Sequence, residues 1–174
     1  MKMEFTELAV VTPEGDFQAR YSTLGLARLH FPADGERPPT SPRGDGAEGA
    51  GSRQPSAQVS RWHRATESAL KRVLAGRAPA DLPPMDWTGA TEFQQAVWRQ
   101  MLKLRPGQTM SYGEIAAAIG KPRAVRAVGG ACGANPIPVL VPCHRVLAAR
   151  GRLGGFSGGL EWKRRLLARE GIEF

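Results

Sequence analysis

A chain of 174 residues with 41% hydrophobic residues, two cysteines and a formal net charge of +8 has room for one good-sized domain or two small ones. Two cysteines exclude a disulfide framework or a four-thiol metal site, and no apolar run approaches the ~18 residues needed to span a bilayer. The opening Met1-Lys-Met-Glu-Phe-Thr-Glu lacks the apolar stretch of a secretory leader, so no membrane partner and a reducing, cytoplasmic setting are expected.

The charge is unevenly held. Residues 1–88 carry 11 Lys/Arg and 11 Asp/Glu, whereas residues 89–174 carry 13 Lys/Arg and 5 Asp/Glu. The whole excess therefore lies in the second half. A one-sided basic field favours a polyanion, most often nucleic acid, over ordinary solubility charge.

In chain order, residues 3–11 and 17–31 are short apolar and β-branched runs around Thr12-Pro-Glu-Gly15, the pattern of a hairpin that begins a sheet. Residues 32–57 are dominated by Pro, Gly, Ser, Ala and charge. They bury too little apolar surface to offset ordering entropy, so a long mobile loop is expected, as a tolerated insertion. Val59, Trp62, Ala65, Ala69, Leu70, Val73 and Leu74 recur at helical spacing over 59–75, with Gly76 as the stop. An irregular linker over 78–86 then leads to a second domain, giving a division into 1–88 and 89–174.

In the basic half, Thr91-Glu-Phe-Gln94 is a capping-box pattern before an amphipathic helix carrying Phe93, Val97, Trp98, Met101 and Leu102, ended by Pro106-Gly107. Ser111-Tyr-Gly-Glu114 is a second box, opening a short helix over 115–119 with Gly120 as its breaker. Pro122 suits the first turn of a third helix that runs to about Cys132. Short helix, Gly-containing turn and short helix describe a helix-turn-helix. A strand-like run over 139–141, then Cys143, a Gly-rich loop over 151–159 and a closing helix over 160–170 complete the chain. The fold class expected is α/β (α+β): an α/β N-terminal domain, then a mostly helical domain with a helix-turn-helix and a short nucleophile strand.

The chemistry gathers in Ile137-Pro-Val-Leu-Val-Pro-Cys-His-Arg-Val146. Here Cys143 ends a β-branched run, where a strand delivers a side chain to the mouth of a pocket. An isolated cysteine most often just fills space, but a thiol with a neighbouring base is an activated nucleophile. Adjacent side chains of an extended segment face opposite ways. Between Cys143 and His144 the chain must therefore turn, or a water must bridge sulfur and ring. A charged partner is expected on the other nitrogen of His144; Glu170 is a candidate that sequence alone does not select over simple solvation.

The third helix carries Ala124, Ala127, Gly129, Gly130 and Ala131, with Arg123 and Arg126 as its only long polar groups. No Asn, Gln or Lys set is present for reading bases in the major groove. Small residues permit close approach to a sugar–phosphate wall or minor groove, and arginine suits insertion there. Binding that tolerates many sequences is implied. Cys132 reads as a buried helix residue.

Ser111-Tyr112, residues 122–131, Asn135-Pro136, Pro142-Cys-His-Arg145, Phe156-Ser-Gly-Gly159 and Lys163 with Glu170 together resemble the O6-alkylguanine-DNA alkyltransferases, or methylated-DNA–protein-cysteine methyltransferases. The resemblance runs over about residues 90–171; residues 1–88 resemble the family's RNase H-like cap more loosely. It implies a single-turnover DNA repair enzyme, a monomer without cofactor, acting on double-stranded DNA that contains O6-alkylguanine, with O4-alkylthymine as a further substrate. Cys143 would accept the alkyl group as thiolate, His144 would take its proton through a water, and Glu170 would orient the histidine. Tyr112 would donate to N3 of the flipped guanine, and Asn135 would brace the turn before the nucleophile. Arg126 would fill the gap in the base stack, with Arg123, Ala127 and Gly130 on the same DNA-binding surface. Ser157 would contact the guanine oxygen in a pocket that includes Phe156, Pro138 and Val146, and Lys163 would support the loop carrying Ser157.

Phe156 replaces the tyrosine of many members, keeping the wall and losing a hydroxyl. Residues 1–88 hold no cysteine and only His30 and His63, so the zinc site of some relatives is not expected. Two rival readings remain: a non-catalytic lesion sensor or helix-turn-helix regulator, and a cysteine hydrolase, which needs an oxyanion hole and turnover.

Overall fold

Alternation of apolar and polar residues builds the first layer of the computed structural model, which describes residues 4–32 and 54–174. Strands β1 (Thr6–Thr12), β2 (Gly15–Tyr21) and β3 (Leu26–His30) form an antiparallel sheet in the order β1-β2-β3. Val10 lies opposite Phe17 in the register, and Phe17, Ala19 and Tyr21 turn one buried face to the core, as a period of two requires. Helix α1 (Ala57–Leu74) lies against β1. Its N-cap Ser56 accepts from the Val59 N–H, and Val59, Trp62, Ala69, Leu70 and Val73 are buried. The Tyr21 hydroxyl donates to Thr66 Oγ1 at 2.9 Å, so the polar tip of a buried ring is satisfied across the layer.

The second half is helical. Helix α2 (Glu92–Met101) and helix α3 (Tyr112–Ala118) both begin with complete capping boxes, Thr91 with Gln94 and Ser111 with Glu114. Helix α4 (Val125–Gly133) packs against both, and the Trp98 indole of α2 donates to the Ala131 carbonyl at 2.8 Å. The pair β4 (Met110–Ser111) and β5 (Val146–Leu147) runs parallel. Helix α5 (Gly159–Arg169) closes the chain, with Glu170 as its C-cap.

The outer edge of β3 joins the two halves. Leu26 donates to Pro84 O at 2.8 Å and accepts from Asp86 N at 2.9 Å, while Leu29 donates to Pro136 O at 3.0 Å. The stretch expected as a plain linker is therefore in part an edge partner, with Leu26 bridged to Met85. Phe17 and Phe31 stack on Trp162 of α5 at centroid distances of 5.7 and 5.1 Å, and Phe31 reaches Phe156 at 5.7 Å.

Three further expectations need correction. The run 17–31 is two strands, because the chain reverses at Ser22, whose N–H donates to the Gly25 carbonyl at 2.9 Å. Gly25 has φ +155°, and a Cβ there would collide with the Pro84 carbonyl. The third helix starts at Val125, not at Pro122: a turn closed by Ala124 N to Lys121 O precedes it, so Arg123 lies in that turn. Residues 139–141 form no strand, since Val139 is left-handed (φ +74°) and prolines 138 and 142 lack N–H donors; the short strand follows the cysteine instead. Residues 33–53 of the expected loop lie outside the described residues, and its last residue, Ala57, opens α1.

Trp98→Phe replaces the indole with a smaller aromatic ring and removes the bond to Ala131. A loss of about 1–2 kcal/mol is expected, read from the urea midpoint.

Candidate active site

The turn before Cys143 is built by one side chain. Buried Asn135 accepts from the Ile137 N–H at 3.0 Å and donates to the Val141 carbonyl at 2.9 Å and to Cys143 Sγ at 3.2 Å. It thereby replaces the ladder bonds that a strand would have made. Val139 is a β-branched residue with positive φ, which costs about 1–3 kcal/mol, and its backbone N–H hydrogen-bonds the Cys143 sulfur. The strained residue therefore turns a donor onto the thiol.

Cys143 then opens a single 3-10 turn, Cys143–Arg145. The chain turns at this point as expected, and no direct hydrogen bond joins the sulfur to the His144 ring. Burial pushes the thiol up to about 11, against the donors from Asn135 and Val139 and the charge of Lys163, which favour the thiolate.

His144 and Arg145 are both buried and converge on Glu170. The His144 Nε2 lies 3.0 Å from Glu170 Oε1, Arg145 donates through Nε and Nη2 to the same carboxylate, and its Nη1 donates to Leu104 O at 2.6 Å. Burial alone would raise the Glu170 carboxyl, but hydrogen bonds from His144 and Arg145 hold it down to about 2. Burial likewise lowers His144, opposed by Glu170. An ionised Glu170 accepts, so a neutral His144 carries its proton on Nε2. The Nδ1 lone pair is left buried and without a partner among the described residues.

A cavity of about 270 Å³ opens above the thiol, lined by Tyr112, Gly129, Cys132, Cys143, Phe156 and Ser157 among others. Tyr112 is the first residue of α3 and bonds the Gly155 backbone through its hydroxyl; burial pushes the phenol pKa up, making it a weaker acid. Ser157 is exposed at the rim. Of the expected pocket residues, Pro138, Val146 and Lys163 are not on the wall. They are buried behind it, because the turn at Val139 and strand β5 face inward. Lys163 donates to the Val146 carbonyl at 2.6 Å, to the Leu153 carbonyl, and to Gly155 O at 3.4 Å. It clamps the loop beneath Ser157.

Arg123, Arg126, Ala127 and Gly130 are exposed on or just before α4, whose other face buries Val128, Ala131 and Cys132. Sequence reading assigned no role to Arg145, although a buried arginine beside a candidate nucleophile called for a carboxylate. It also missed Cys132 as a wall residue; helical spacing from Gly129 was the available signal. Burial pushes the Cys132 thiol up to about 12. No group of His, Cys, Asp or Glu among the described residues is arranged to hold a metal.

Residues 92–172 match a family described as 6-O-methylguanine DNA methyltransferase, DNA binding domain. A methylated-DNA–protein-cysteine methyltransferase of Mycobacterium tuberculosis is 56% identical over 101 residues, 58% of this chain and 61% of that protein. One of Salmonella typhimurium is 51% identical over 84 residues, 48% of this chain and 49% of that protein. The chain thus spans about half the length of the curated relatives it matches. Among solved structures, Mycobacterium tuberculosis OGT in complex with DNA has a TM-score of 0.70 and 34% identity, covering 93% of this chain and 90% of that one.

The carboxylate sets a pH dependence. Glu170 is held below its ordinary value of 4.5, so its stabilisation is complete above pH 4.5 and is lost as pH falls towards 2. The unfolding free energy of the wild type, read from urea melts, is expected to fall through that window by on the order of 3 kcal/mol. Glu170→Gln should lack the acid step and be about 3–5 kcal/mol less stable at pH 7, since Arg145 is left buried without a counter-charge.

Proposed function

This chain belongs to the 6-O-methylguanine DNA methyltransferase family, and from that premise we propose that it repairs DNA by moving the alkyl group of O6-alkylguanine onto Cys143, once per molecule. The observation that carries the proposal is the thiol at the base of a cavity, ringed by donors and adjoining a neutral histidine whose free lone pair is buried.

An alkyl carbon inside a duplex lies out of reach of a buried sulfur, so the guanine must leave the stack and enter the cavity. In this reading residues 89–174 bind DNA and accept the alkyl group, and residues 1–88 are the cap that backs them. The surface of α4, with Ala127 and Gly130 exposed, comes close to the backbone, while Arg123 and Arg126 supply charge and Arg126 occupies the gap in the stack.

A thiol pushed up to about 11 by burial is not ionised at neutral pH, so its proton must leave as the reaction proceeds. A water relays it to Nδ1 of His144. Glu170 accepts from Nε2 and stabilises the imidazolium that forms, and Asn135 and the Val139 N–H stabilise the developing thiolate. The sulfur–carbon bond forms as the carbon–O6 bond breaks. The electron pair goes into the guanine ring, where the Tyr112 hydroxyl donates to N3 and Ser157 to the oxygen. The thioether product has no good leaving group, so the protein is consumed. Two free thiols suit a reducing compartment such as the cytoplasm, and no helix of the described residues is long and apolar enough to cross a membrane.

Intact-protein mass after incubation with a duplex bearing one O6-methylguanine is expected to rise once, by ~14 Da, and not at all in Cys143→Ala. Tight binding with unchanged mass would make the protein a lesion sensor and overturn the transfer.

A further inference from the structure

The segment that follows β5 forms a narrow loop beside the cavity. At its neck the Ala148 N–H donates to Arg152 O at 2.7 Å. Gly154 sits so close to Ala148 and the Tyr112 hydroxyl that a Cβ there would meet both, at 3.4 and 2.8 Å. Lys163 holds the neighbouring Leu153 and Gly155 carbonyls from below. The neck is thus fixed to the cavity wall, and the tip, Ala149–Gly151, projects from it.

At that tip Arg150 is left-handed, with φ +60° and ψ +32°. Asn and Gly adopt this region readily, whereas a long side chain is uncommon there. Arg150 is exposed and makes no hydrogen bond or ion pair with any described residue. Nothing among the described residues therefore offsets its backbone strain. Arg152 is also exposed, with a single long contact from Nε to Ala149 O at 3.4 Å. Two exposed arginines thus lie in the loop that runs on into the cavity wall, Gly155 to Ser157, while Arg126 on α4 and Arg123 in the turn before it are exposed at the helix-turn-helix.

We propose that the Arg150–Arg152 tip is a second phosphate-binding element, gripping the DNA backbone beside the nucleotide held in the cavity. The inference rests on duplex DNA being the substrate. The strain at Arg150 is compensated by contact with a phosphate outside the chain, and the rigid neck sets the distance between that phosphate and the cavity. Contacts of this kind position the duplex without reading its sequence.

The test is equilibrium binding of a duplex bearing O6-methylguanine, titrated between about 50 and 200 mM salt, with single-turnover methyl transfer measured at saturating DNA. R150A is expected to weaken binding roughly three- to tenfold at low salt and to lower the salt slope by about one. Its transfer rate at saturation should stay at the wild-type value, and R150K should keep the wild-type slope. R150G should bind as poorly as R150A while its thermal midpoint does not fall, because glycine relieves the left-handed strain. Wild-type binding and slope in R150A would overturn the proposal. So would wild-type binding in R150G, which would make the R150A loss a backbone effect. If the wild type transfers no methyl group yet its salt slope still depends on Arg150, the transfer reading fails and the phosphate grip stands.

Discussion

Glu170 gathers three distant segments onto one carboxylate. It caps α5, accepts from His144 and Arg145 in the turn after the nucleophile, and accepts from the Gly107 N–H at 3.1 Å in the connection between α2 and β4. Arg145 extends the network to the Leu104 carbonyl. A buried carboxylate, guanidinium and imidazole are each costly alone, and they are tolerable together because nearly every donor and acceptor is matched. The one atom left over is Nδ1 of His144. The network therefore does two jobs at once. It ties the end of the chain to the centre, and it dictates which ring nitrogen is free to accept a proton.

The thiol sits under opposing influences. Burial keeps it protonated. Asn135, the Val139 N–H and the Lys163 charge lower the cost of the thiolate. These donors exist only because the backbone is bent out of a strand, with a β-branched residue at positive φ. Local strain is thus exchanged for an oriented donor at the sulfur, the kind of compromise expected at a functional site.

The N-terminal sheet reaches the same place by packing. Phe17, Phe31, Phe156 and His144 form a continuous series of ring contacts, the last at 6.4 Å, with Trp162 against Phe17 and Phe31. Gly158 permits it, since a Cβ there would strike the Phe31 ring. Further along α5, Glu14 in the β1–β2 turn pairs with Arg165 and Arg169. The sheet is therefore a backing for α5 and for the loop, Gly155 to Ser157, that forms one wall of the cavity.

Much of this was legible in the sequence where the signal is local. The two capping boxes, the helical spacing of α1 and α2, the glycine stop of α3 and the Cys143–His144 pair depend on residues within a few positions of one another, and each element formed close to where it was expected. Errors arose where a distant partner competes with local preference. The β-branched run before Cys143 reads as a strand, but no strand lies alongside it, and two prolines with an asparagine side chain impose a turn instead. Pro122 reads as a helix start, but the helix begins only where Val125 can bury its successors against α2. By itself the sequence determined which chemistry the chain carries: a thiol, a base and a basic surface in one half. Only the tertiary structure decided which carboxylate meets the histidine, which nitrogen is free and which residues line the cavity. Those choices depend on contacts across 25 or more residues, whose energies come from burial and geometry that no local spacing encodes.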